Sequence, residues 1–128
     1  MTLHHVPDFE LMLSELVRIL RPGGYLLLRE HDVKNERSLQ AKYLNFIHAF
    51  MMIAHVGEFA NNPESIVTDW KQQKIDIIEY TSSIQYRTRD EWKKMLENAG
   101  FRLRATIDYD TGHNPQASYY AVFQLNTK

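Results

Sequence analysis

Residues 4–32 read HHVPDFELMLSELVRILRPGGYLLLREHD. Phe9, Met12, Leu13, Leu16, Val17 and Leu20 fall at i, i+3, i+4, i+7, i+8 and i+11, which is one apolar face of an α-helix. Asp8 stands where an N-cap belongs, and its charge suits the positive helix start. Arg18 and Arg21 sit near the other end, where cations are favoured. Pro22 cannot continue a helix, and Gly23 and Gly24 permit a sharp reversal. Tyr25–Glu30 is then short, apolar and bounded by turn signals. Apolar residues at successive positions predict a strand covered on both faces, as in α/β sheets.

The pattern outward from this stretch continues the alternation. Ser38 to Val56 predicts a helix, apolar nearly all round in its second half, with Gly57 as its stop. Pro63 is placed to start a short helix through Trp70. Residues 71–87 are ambiguous between a lid, a short helix and an irregular connection. Thr88 and Glu91 form a T-x-x-E capping box that opens a helix to Ala99, and Gly100 closes it. Phe101, Leu103, Ala105, Ile107 and Tyr109 alternate with Arg102, Arg104, Thr106 and Asp108, which predicts a strand with one apolar and one polar face. Ser118–Leu125 is a second β-rich run, antiparallel to the first across a long turn, with Tyr119 and Tyr120 on opposite faces. Helix, strand, helices, strand, strand is an α/β order in one domain, residues 1–128, with a helical insert over 33–87.

Composition excludes several classes. The 128 residues carry 15 basic and 16 acidic side chains, so there is no general pull toward nucleic acid or anionic membranes. There is no cysteine, hence no disulfide, thiolate metal site or thiol nucleophile. The sequence opens without a signal peptide. The most apolar stretch, Tyr43–Val56, is interrupted by Asn45, His48 and His55 and falls short of the roughly 20 apolar residues of a spanning helix. A cytoplasmic setting is expected.

The motifs resemble the C-terminal half of a class I, Rossmann-like S-adenosylmethionine-dependent methyltransferase. LHHVPD looks like the end of the fourth strand and its loop. LSELVRILRPGGYLLLREHD looks like the following helix, turn and fifth strand. YRTRDEWKKMLENAGF looks like the helix before the sixth strand, and YYAVFQL looks like the last, antiparallel strand. The resemblance implies a partial sheet of about three strands, the last pair antiparallel, with flanking helices. The family's glycine-rich turn and acidic ribose-binding residue belong to its first half, and none of the five glycines makes a G-x-G motif. A substrate-side half that binds S-adenosylmethionine poorly or not at all by itself is therefore expected, inactive alone, with Tyr25–Glu30 on a sheet edge. Such an edge invites a second copy or an N-terminal partner chain.

Candidate residues follow. His5 and His31 are candidate proton acceptors, since imidazole titrates near neutral pH. His4 lies in the loop that the resemblance puts beside the cofactor. Glu30 and Asp32 end a strand where α/β sheets gather ligands, and His48 shares a helix face with His55; these three are candidate substrate contacts. His31 and Asp32 with His4 or His5 have suitable metal-ligand chemistry, but no helical i, i+4 pair or tight spacing supports it, and no metal is expected. Two other functions fit the same residues: a non-catalytic dimerisation or regulatory module derived from a methyltransferase, and a small protein that binds a hydrophobic ligand on its aromatic and Met-rich helix.

Overall fold

The computed structural model describes residues 3–60, 69–108 and 118–127. The order is α1 (Phe9–Ile19), β1 (Tyr25–His31), α2 (Leu39–Ala54), a 3-10 turn at Gly57–Phe59, α3 (Trp70–Ser83), α4 (Arg89–Asn98), β2 (Phe101–Asp108) and β3 (Ser118–Leu125). The helix expected from Pro63 and the turn before Ser118 lie largely outside the described residues.

The local rules explain most boundaries. Asp8 caps α1 by accepting the Leu11 N–H at 3.0 Å. Gly23 takes φ 77°, and a Cβ on Gly24 would sit 2.8 Å from the Arg21 carbonyl, so the reversal into β1 requires both glycines. The capping box at Thr88 and Glu91 is complete in both directions. Ser38 caps α2. That helix stops earlier than Gly57, because His55 turns left-handed at φ 52°. Residues 71–87 resolve into α3 followed by an extended run. Asp69 caps α3, and Gln72 bridges to Asp76 one turn on.

The sheet order is β1-β3-β2, and both pairings are antiparallel. β3 is therefore central, and β1 and β2 run parallel without touching. Leu28 faces Ala121, Leu26 faces Phe123, and Phe101 faces Leu125. These side chains, with Leu3, Phe9, Leu13, Trp92 and Leu96, form the main core between the sheet and α1 and α4. Phe9 meets the Trp92 ring edge-on at 5.3 Å. Tyr119 is buried in this core while Tyr120 faces outward.

Two sequence expectations are corrected. β1 is covered on one face only: Leu26, Leu28 and Glu30 are buried, whereas Tyr25 and Leu27 are 55% and 63% exposed. Both helices that pack on the sheet lie on the same side, so the second face has no cover among the described residues. β2 also breaks its simple alternation. A register shift between Leu103 and Ala105 places Leu103 opposite Phe123 but Ala105 opposite Val122 and Ile107 opposite Tyr120. The bulge passes the apolar series from the core face to the other face. Ile107 is 64% exposed in consequence.

The two faces predict unequal mutational costs in a denaturant titration of the dilute chain. Leu28→Ala should cost about 2–5 kcal/mol, the range for a truncated core leucine. Leu27→Ala on the same strand should cost under about 1 kcal/mol. Equal costs would show that the second face is packed as well.

Candidate functional site

The site grows from the carboxyl end of β1. Glu30 is 1% exposed there, and its side chain turns toward the chain's first turn. One carboxylate oxygen accepts the backbone N–H groups of Leu3 and of His4, the latter at 3.0 Å. The other accepts His4 Nδ1–H at 2.6 Å. An ionised carboxylate only accepts, so His4 Nδ1 carries the proton of this bond. Burial alone would raise the Glu30 pKa; the His4 hydrogen bond, the His4 charge and the two backbone donors outweigh it and hold the carboxyl below its ordinary 4.5.

The pinned turn brings three histidines together. The His4 and His5 rings lie 4.0 Å apart, His5 and His48 5.0 Å, and His4 and His48 6.0 Å, centroid to centroid. α2 delivers His48, which is 6% exposed, and fixes it by a hydrogen bond from Nδ1 to the Leu44 carbonyl at 2.8 Å. A second small core holds α2 in place. Val33, Ala41, Leu44, Ile84 and Tyr86 are buried there with Tyr80 against them. Tyr86 stacks on the His4 ring at 5.7 Å and donates to Asn45 at 2.9 Å. Gln85 N–H donates to the His4 carbonyl, tying the first turn to the strand-like run after α3.

α3 supplies Tyr80. Its hydroxyl donates to Glu58 Oε1 at 2.8 Å, and its oxygen lies 3.0 Å from His5 Nδ1. Since the hydroxyl proton goes to Glu58, His5 Nδ1–H is the donor to Tyr80. The chain of bonds runs His5, Tyr80, Glu58. Burial, the neighbouring His4 charge and, more weakly, His48 lower the His5 pKa from 6.5 to about 4, against an opposing pull from Glu58. Burial also lowers His48, opposed by its bond to Leu44 and by Glu58. Burial and the bond to Glu58 push the Tyr80 hydroxyl up. At neutral pH His5 and His48 are thus neutral imidazoles and Tyr80 a neutral phenol, beside the ionised Glu30.

The residues singled out from the sequence separate into two groups. His4, His5, Glu30 and His48 meet, with the His31 ring 5.5 Å from His4. Asp32 is exposed and turns to α4, where it accepts the Arg89 N–H at 2.9 Å. Glu30 faces the fold rather than an open surface, because its lone pairs serve His4 and the first turn. His4 likewise offers no open contact to a cofactor: the ring is 3% exposed. His5, with 22% of its side chain exposed, is the accessible member. Tyr80 and Glu58 escape sequence reasoning, since neither belongs to a motif. Among the described residues the group with metal-ligand spacing is His4, His5 and His48, not His31 and Asp32 with His4 or His5.

No helix among the described residues is long and apolar enough to cross a membrane. A family description, "Methyltransferase domain", matches residues 1–106. The chain is 31% identical over 100 residues to the mitochondrial 2-methoxy-6-polyprenyl-1,4-benzoquinol methylase of Bos taurus, covering 78% of this chain and 27% of that protein. It is 29% identical over 99 residues to the demethylmenaquinone methyltransferase of Staphylococcus aureus strain JH9, covering 77% and 36%. It thus spans about a third of the length of these relatives. A solved structure of a SAM-dependent methyltransferase from Methanosarcina mazei shares the fold over 100% of this chain and 58% of that one, at TM-score 0.52 and 22% identity.

Removing the Glu30 anchor should be costly. Glu30→Ala leaves His4 Nδ1–H and two backbone donors without their acceptor, an expected loss of about 3–5 kcal/mol in urea unfolding. Glu30→Gln keeps an acceptor oxygen and should lose less. A Glu30→Ala variant as stable as the native chain would show that the turn is held by other contacts.

Proposed function

The chain belongs to the methyltransferase domain family, and on that premise we propose that it is the acceptor-binding side of an S-adenosylmethionine-dependent methyltransferase acting on an aromatic hydroxyl compound of the quinol class. The observation that carries the reading is the His5–Tyr80–Glu58 relay at the carboxyl end of β1. Ligands gather at that end of α/β sheets. The rings of His48, Tyr80 and Phe59 surround it, Phe59 and Tyr80 meeting at 5.2 Å. Such walls suit a flat aromatic acceptor. The relatives' names supply the quinol.

In this reading His5 Nε2 accepts the acceptor's hydroxyl proton while Nδ1–H stays on Tyr80. Glu58 steadies the resulting imidazolium through the phenol. The proton leaves oxygen, and the electron pair it leaves behind raises the nucleophilicity of the aromatic ring. Glu30 acts one step back, through His4 and the first turn, as a positioning residue. The residues present do not fit the methyl donor. The five glycines include no G-x-G turn to admit an adenosyl group closely, and His4 is sealed. No step is therefore assigned to the donor on this chain, and its grip is proposed to come from a further methyltransferase segment.

That segment, or a second copy, also has surfaces to meet. Leu39, Tyr43, Phe46, Phe50 and Ile53 recur at alternating spacings of four and three along α2, and all are exposed. The outer sheet face adds Tyr25 and Ile107. A homo-oligomer or a complex with the donor-binding segment is part of the proposal, as is a cytoplasmic setting.

Calorimetry and label transfer test it. The isolated chain should not bind S-adenosylmethionine. With a co-expressed donor-binding segment it should methylate a short-chain benzoquinol or naphthoquinol. In that complex His5→Ala should lower kcat about 10²–10⁴-fold, the usual worth of a general base, and Tyr80→Phe should lower it less. Turnover by the chain alone would refute the division of labour. Unchanged kcat in His5→Ala would refute the base. Ultracentrifugation at micromolar concentration should give a mass above that of one chain; a stable monomer would remove the self-association.

A further inference from the structure

We infer that His4, His5 and His48 form a binding site for a divalent transition-metal ion of the zinc type. One nitrogen from each ring lies within 4.8 Å of the other two, a grouping unmatched elsewhere among the described residues. The hydrogen bonds show which nitrogen of each ring is already engaged. Nδ1 of His4 is bound to Glu30, Nδ1 of His5 to Tyr80, and Nδ1 of His48 to the Leu44 carbonyl. A neutral imidazole that donates from one nitrogen presents a lone pair on the other. With each Nδ1 so engaged, Nε2 is the atom each ring has left for a cation.

The arrangement has what a zinc site needs around its ligands. Metal-bound histidines almost always donate their second N–H to a carboxylate or a backbone carbonyl, and His4 and His48 each have one of these. His5 reaches a carboxylate through a phenol. The His4 Nε2 atom is buried and has no hydrogen-bond partner, on a ring that is 3% exposed. A buried nitrogen left in that state needs an explanation, and a bound cation supplies one. Glu58 sits 3.9 Å from both His5 Nε2 and His48 Nε2, within reach of a fourth position as ligand or as partner of a bound water. Its side chain is 43% exposed, so this position faces solvent.

Ligand type narrows the ion. Three imidazoles suit zinc, copper, nickel or iron and disfavour magnesium and calcium, which take oxygen. Zn–N bonds of about 2.0–2.1 Å in a tetrahedron set the nitrogens about 3.3 Å apart, so from 4.8 Å the rings close by at most about 1.5 Å. His5, the least buried of the three, can make most of that movement. The inference stands on the coordination geometry and not on the methyl-transfer reading. A proton and a metal ion compete for the same lone pair of His5, so an occupied site would bind an acceptor oxygen rather than take its proton.

Zinc titration of the full chain by calorimetry, with no methyl donor or acceptor present, tests it. One ion per chain is expected, with a micromolar or tighter Kd. His5→Ala and His48→Ala should each weaken binding at least tenfold, and Glu30→Gln about 10–100-fold. His55→Asn, outside the cluster and tolerant of the left-handed backbone, should leave it unchanged. Cobalt substitution should give the intense visible spectrum of a tetrahedral ion, and X-ray absorption should count three imidazole nitrogens. No binding, binding that survives both alanine variants, or a hydrated six-coordinate cobalt ion overturns the site. Should His48→Ala fail to fold by circular dichroism, His5→Ala and the cobalt spectrum of the unaltered chain decide. Loss of this site leaves the methyl-transfer reading standing, and the reverse holds too.

Discussion

The Glu30 carboxylate is the constraint on which the rest of the site depends. It is buried at the end of a strand whose other inward side chains are leucines. A charge in that place is costly unless its lone pairs are used. They are used by the first turn of the described chain: two backbone N–H groups and the His4 ring. The carboxylate thereby converts a segment with little secondary structure of its own into a fixed wall. Leu3 drops into the main core beside it, and His4 and His5 face α2 and α3. The fold and the site share this one set of hydrogen bonds.

Much of the scaffold could be read from residue order because its causes are local. The spacing of Phe9, Met12, Leu13 and Leu16, the Asp8 cap, the Pro-Gly-Gly reversal and the Thr88–Glu91 box each act within a turn or two, and all are found. The edge position of β1 and the antiparallel last strand also follow the family resemblance. What escaped detection was non-local. Whether Leu27 is covered depends on which side the helices pack, which the strand itself does not encode. The β2 bulge is invisible because alternation continues unbroken through it; only the partner strand reveals that Ala105 and Ile107 have changed sides.

The site shows the same division. His4, His5 and Glu30 were legible because a turn and a strand end mark them. His48 was legible only as one side of a helix. Tyr80 lay in a stretch whose pattern did not choose a structure, and Glu58 in a loop, so neither could be assigned a role. They join the cluster through two long-range hydrogen bonds, and those bonds give His5 an orientation. Sequence proximity put two imidazoles together; packing of α2 and α3 against Val33, Ile84 and Tyr86 made the cluster.

The strand order has a consequence for how the chain comes into being. β1 and β2 each pair only with β3 among the described residues, and β3 follows both of them in the sequence. During synthesis, therefore, neither of these two pairings can form until Ser118–Leu125 has been made. Until then β1 emerges as an apolar strand with its pairing partner still unsynthesised, a state open to mispairing and aggregation. Synthesis of Ser118–Leu125 then supplies the partner that both strands lack.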